Sequence, residues 1–102
     1  MNHKLKQIKR LIIKGNYQFT FKAESELEAD GLIIEDALEA ILNATTVDKI
    51  LNSKHPITGK KEKLYIIKSF TYDNVLLYTK GKIIESNGSP RFYILISSKR
   101  SL

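Results

Sequence analysis

Residues 64–98 read LYIIKSFTYDNVLLYTKGKIIESNGSPRFYILISS. Three runs in this stretch, Leu64–Phe70, Val75–Ile84 and Arg91–Ser98, are rich in β-branched and aromatic residues and carry no helical period, so each is expected to be a strand. Between them lie Asp73-Asn74 and Ser86-Asn87-Gly88-Ser89-Pro90, which are turn chemistry. Connections this short join antiparallel neighbours, so the three strands form a meander.

Upstream of this stretch the period is helical. Leu5, Ile8, Leu11 and Ile12 recur on one side of a helix over Lys4–Ile13, and Gly15-Asn16 stops it. Tyr17–Phe21 is aromatic and reads as a short strand or an extended link. A second helix is expected over Lys22–Asp30, with Thr20 as N-cap and Gly31 closing it. A third covers Ile34–Asn43, with Glu35 and Asp36 in its first turn, where the helix dipole favours acids. Val47–Leu51 reads as a further short strand, and Asn52–Lys63 as a polar loop with His-Pro and Thr-Gly turns. Helices first and strands after is the α+β pattern. The expected fold is therefore N-terminal helices on one face of a C-terminal three- to four-stranded antiparallel sheet. At 102 residues the chain is expected to be a single domain, 1–102.

Composition removes several function classes. The absence of cysteine excludes disulfides, thiolate metal sites and a cysteine nucleophile. No apolar run approaches the ~20 residues needed to cross a bilayer, and residues 1–14 lack a signal-type apolar region, so a cytoplasmic location without membrane contact is expected. Two histidines, His3 and His55, stand without a ligand constellation, and Thr58-Gly59-Lys60 lacks the first glycine of a phosphate loop. No metal or cofactor is implied.

Charge is segregated along the chain. The formal net charge is +6, and residues 1–22 carry lysines and Arg10 with no acid. Residues 23–48, from Glu24 to Asp48, carry acids and no base, and the remainder is again basic, with only Glu62, Asp73 and Glu85 as acids. Basic blocks of this kind suit an anionic partner, and the bland alternative is a set of solvated faces. Alternation along the strands adds detail. In 75–84 the apolar set is Val75, Leu77, Thr79, Gly81 and Ile83, leaving Leu76, Tyr78, Lys80, Lys82 and Ile84 on the other face. In 91–99 the apolar set is Phe92, Ile94 and Ile96, leaving Arg91, Tyr93, Leu95, Ser97 and Lys99 opposite. Cations interleaved with aromatic rings are what RNA binding uses, for phosphates and stacked bases respectively. Such a face also allows one metal-free chemistry, attack of a ribose 2′-hydroxyl on the adjacent phosphate. That reaction needs a proton acceptor, a proton donor and cations around the phosphorane. His55, Lys60, Lys61, Tyr78, Lys80, Arg91, Lys99 and Arg100 are the side chains available for it.

Several segments resemble a known family. The opening LKQIKRLIIKGNYQFTFKAESELEADGLIIEDALEAIL, with the later GKKEKLYIIK, NVLLYTKGKII and RFYILISSKR, resembles MqsR-type toxins and a related uncharacterised family of the RelE/ParE toxin superfamily. The resemblance covers nearly the whole chain and lies in the order of its parts. It implies a RelE-like fold and a toxin of a type II toxin–antitoxin system. Such a protein cleaves mRNA without metal, free or on the ribosome, and is held in check by a cognate antitoxin. The family's catalytic tyrosine and lysine fall on Tyr78 and Lys99. Its glutamine falls on Glu62, and the histidine common in the related family is replaced by Lys22, two departures that favour a non-catalytic RNA- or protein-binding module. A ParE-like action on gyrase is a third reading. Together the expected catalytic residues are Tyr78, Lys99 and His55, and the expected RNA contacts are Lys60, Lys61, Lys80, Lys82, Arg91, Tyr93 and Arg100.

Overall fold

The computed structural model describes residues 3–102. Three helices precede most of the sheet: α1 (His3–Ile13), α2 (Phe21–Ala29) and α3 (Ile34–Asn43). The strands are β1 (Tyr17–Phe19), β2 (Lys49–Lys54), β3 (Lys61–Phe70), β4 (Leu76–Ser86) and β5 (Ser89–Arg100). The fold is α+β, as expected, but the sheet has five strands in the order β1-β5-β4-β3-β2 and is mixed. β1 runs parallel to β5, with Tyr17 opposite Tyr93 and Phe19 opposite Leu95, while the other pairings are antiparallel. The expectation of a three- to four-stranded antiparallel sheet is corrected on both counts. Local pattern gives Tyr17–Phe21 as a short strand or an extended link, but not its partner or direction, because β5 lies more than 70 residues away.

Local chemistry explains the element ends. The Thr20 hydroxyl accepts from the Ala23 amide at 3.1 Å, and the Asp36 carboxylate accepts from the Ile33 amide at 2.9 Å. The β4–β5 connection is the two-residue Asn87-Gly88 turn, with φ of 52° and 77°, so β5 begins earlier than its sequence pattern suggests.

All three helices lie on the same face of the sheet. Leu5, Ile8, Leu11 and Ile12 of α1, Ala23 and Leu27 of α2, and Ala37, Ala40 and Ile41 of α3 are buried against Tyr65, Ile67, Leu77, Tyr93 and Leu95. Packing leaves no room for a side chain at Gly81. A Cβ there would overlap the Tyr93 ring and approach the Ile94 carbonyl to 2.8 Å. Tyr93 is fully buried, and its hydroxyl has no hydrogen-bond partner. Burial, with Tyr65 nearby, pushes the Tyr93 phenol up from its ordinary value. Tyr93 is thus a core residue, and its expected place on an RNA-binding face is corrected. The phase of β5 is the reverse of the expected one: Tyr93 and Leu95 face the helices, and Phe92 and Ile94 face away.

Among the described residues no helix is long and apolar enough to cross a membrane.

Candidate nucleic-acid interface

With every helix on one face, the opposite face of β2–β5 is covered by no other element. Directly paired residues of neighbouring strands point to the same face, with Cβ atoms about 5 Å apart. Register therefore gives the composition of the open face row by row. Tyr78 stands between Lys99 of β5 and Lys68 of β3. The next row carries Lys80, Ile66 and Lys49. Beyond it come Lys82 beside Ile94, and then Ile84 beside Phe92. On the other side of Tyr78 lies the pair Phe70–Leu76. Three aromatic rings thus share this face with five lysines, and Phe70 and Phe92 are 48% and 43% exposed, open enough to stack on a flat ligand.

The Lys99 ammonium sits 5.6 Å from the centre of the Tyr78 ring, a cation–π contact. A bulge in β5 puts Lys99 there. Lys80 pairs with Ser97 and Gly81 with Leu95, so the ladder skips Ile96. Ser97 and Ser98, consecutive residues, are both buried on the helix side. One carboxylate holds them: Glu26 Oε1 of α2 accepts from the Ser97 hydroxyl at 2.7 Å and from the Ser98 amide at 3.1 Å. The Ser98 hydroxyl donates to the Ala23 carbonyl at 3.1 Å. Without this extra residue, plain alternation from Tyr93 and Leu95 would turn Lys99 toward the helices. Partial burial pushes the Glu26 carboxyl up. The hydrogen bonds from Ser97, Ser98 and Lys22 outweigh that and hold it below its ordinary value.

Among the described residues, Lys49, Lys68, Lys80 and Lys99 form no ion pair, whereas Lys82 pairs with Glu62 at 2.9 Å. That bond, with the charges of Lys82 and His55, holds the Glu62 carboxyl below its ordinary value against a smaller opposing effect of burial. Ile66 is only 8% exposed although no element lies above it, and its register neighbours on this face are Lys49 and Lys80.

Of the residues singled out in the sequence, the structure brings Tyr78, Lys80, Lys82 and Lys99 together and separates the rest. His55, Lys60 and Lys61 lie at the far end of the β2–β3 hairpin. Lys61 is seven residues from Lys68 along β3, roughly 23 Å at ~3.3 Å per residue. His55 has a local task there: its Nδ1 accepts from the amides of Ile57 and Thr58, both at 3.2 Å. Glu62 is at the same end, away from Tyr78. Arg91 falls in a second irregularity of β5, between the pairs Ile84–Phe92 and Glu85–Pro90, again far from Lys99. Arg100 pairs with Leu77 on the helix side, and its amide donates to Asp30 at 2.8 Å. Four members of the face were missed: Lys68, Phe70, Lys49 and Phe92, the last because β5 was read in the opposite phase. Alternation from Lys68 marks the outward set of β3, but the unbroken apolar run Leu64–Ile67 hides its phase.

Comparison with family models, with curated proteins and with solved structures finds no match to this chain.

Proposed function

We propose that the protein acts on single-stranded RNA through the open face of its sheet, as a metal-independent endoribonuclease of the toxin type, with the RelE-like arrangement that the sequence resemblance implies. Tyr78 flanked on both sides by lysines from neighbouring strands is the observation that carries this reading. In it, Lys68, Lys80 and Lys49 hold phosphates, and Phe70, Tyr78 and Phe92 offer surfaces for bases. At the scissile phosphate the 2′-oxygen attacks phosphorus and its proton passes to water. The Lys99 ammonium stabilises the phosphorane, and the Tyr78 hydroxyl gives a proton to the departing 5′-oxygen. The natural substrate is mRNA, free or ribosome-bound, and a cognate antitoxin protein restrains the activity.

One observation favours a second reading, an RNA-binding module without cleavage. The imidazole of His55 is engaged in its own loop and far from Tyr78, so the face brings no imidazole to the proton transfers. Cleavage of a defined RNA in EDTA separates the two. Wild type should cleave, and Tyr78→Phe and Lys99→Ala should each be slower by roughly a hundredfold or more, the scale of one acid–base group. Full activity in both variants would remove the site from this face. RNA binding without cleavage under any condition would establish the module reading.

A further inference from the structure

The sheet splits at one end. The β3–β4 ladder runs from Phe70–Leu76 to Tyr65–Gly81 and stops there. Beyond that point residues 61–64 pair only with β2, and residues 82–86 only with β5. The two hairpins diverge and leave a cleft of about 370 Å3 between their facing edges. This is within the range of small-ligand sites, roughly 300–1,000 Å3. The split begins beside the β4–β5 irregularity at Lys80/Gly81, as expected where a bulge bends and twists one hairpin away from its neighbour.

Its lining is polar and unbalanced in charge. Lys4, Lys61, Lys63 and Lys82 surround it, against Glu62 and Glu85. Tyr65 stands at its closed end, 3% exposed, with burial and the nearby Glu85 keeping its phenol protonated. The Lys82–Glu62 ion pair spans it at 2.9 Å. The strand edges that face each other across the cleft have no ladder between them, as at an open sheet edge. Ammonium groups, a phenol donor and open strand edges converging on one small cleft make an anion site. With Lys61 and Lys63 exposed beside Lys82, the cleft suits a doubly charged group better than a single carboxylate.

We infer that the cleft between the two hairpins binds a phosphate monoester, from a free nucleotide or from the 5′-phosphate end of an RNA strand. The second source rests on the RNA reading above, since Lys82 lies on the border between the cleft and the open face. The anion displaces Glu62 from Lys82, so binding is felt on both hairpins at once.

The test uses the full chain, 15N-labelled, at constant ionic strength. Adenosine 5′-monophosphate should move the amides of residues 61–65 and 82–85 saturably, while adenosine should leave them in place. Lys61→Ala/Lys63→Ala, at two exposed positions, should weaken this by about tenfold or more, as expected for two charge-assisted contacts. Lys14→Ala, exposed and outside both the cleft and the open face, should leave it unchanged. A short RNA with a 5′-phosphate that moves the cleft amides more than its 5′-hydroxyl counterpart identifies the strand end as the source. Equal response to both RNAs, with the monophosphate effect intact, identifies the free nucleotide. Absence of saturable shifts, equal shifts with adenosine, or indifference to the double substitution overturns the proposal. Failure of the RNA reading shows separately, as oligonucleotides that leave Lys68, Tyr78 and Lys80 unmoved while the monophosphate still reaches the cleft.

Discussion

Replacing Lys68, Lys80 and Lys99 together by alanine tests whether the open face meets phosphates. Four lysines on that face, these three and Lys49, form no ion pair, and Lys82 is neutralised by Glu62. If each of the four contacts one phosphate, the slope of log affinity against log salt is ~0.7 per contact, hence about −2.8. Between 50 and 200 mM salt, wild type then loses roughly fiftyfold in affinity, while the triple variant, with one contact left, loses only about threefold. Fluorescence anisotropy of a labelled single-stranded RNA over a salt series measures both slopes. Tyr78→Phe is the control: it keeps the ring, so it should leave affinity and slope unchanged while cleavage falls. A triple variant with the wild-type slope would refute the assignment and move the phosphates elsewhere, to Lys60, Lys61, Arg91 or Arg100.

Gly81→Ala should cost about 1–3 kcal/mol, because its methyl group would overlap the buried Tyr93 ring, and thermal melts should fall by roughly 4–8 °C per kcal/mol. Tyr93→Phe should leave stability and RNA affinity close to wild type, since it removes a buried hydroxyl without a partner; weaker RNA binding in a stably folded variant would return Tyr93 to the interface. Glu26→Gln carries a pH signature. The folded carboxyl is depressed below its reference value of 4.5, so its charge stabilises the fold above that pH and the benefit fades as pH falls through the folded value. Urea midpoints should therefore favour wild type at pH 7 and converge with the variant as the pH falls through the depressed folded value. His55→Ala should loosen the 55–60 loop, seen as faster amide exchange at Ile57 and Thr58, with cleavage little changed. Expression of the protein alone should arrest growth and co-expression of an antitoxin relieve it; growth equal to an empty vector at verified expression would count against the toxin reading.

By itself the sequence determined the helices, the three long strands and the α+β class. Those properties live in periods of 3.6 and 2 and in turn residues such as Asn87-Gly88, which act within a few positions of each other. It also placed Tyr78, Lys80 and Lys82 on one face, because β4 alternates without interruption up to Ile83. Tertiary structure decided the rest. Tyr17–Phe19 became a strand only by pairing with β5, and the sheet became mixed through that long-range contact. The phase of β5 could not be read from its own residues, since Phe92, Tyr93, Ile94, Leu95 and Ile96 are all apolar enough to be buried. The helices' choice of the Tyr93 and Leu95 side resolved it. Lys99 reached Tyr78 although the expected phase was reversed, because the bulge held by Glu26 shifts the phase by one residue. A two-residue period carries no record of a bulge made by a carboxylate on another element. For the same reason the split between the hairpins, where a β-ladder ends although both strands continue, was legible only once the strands were paired.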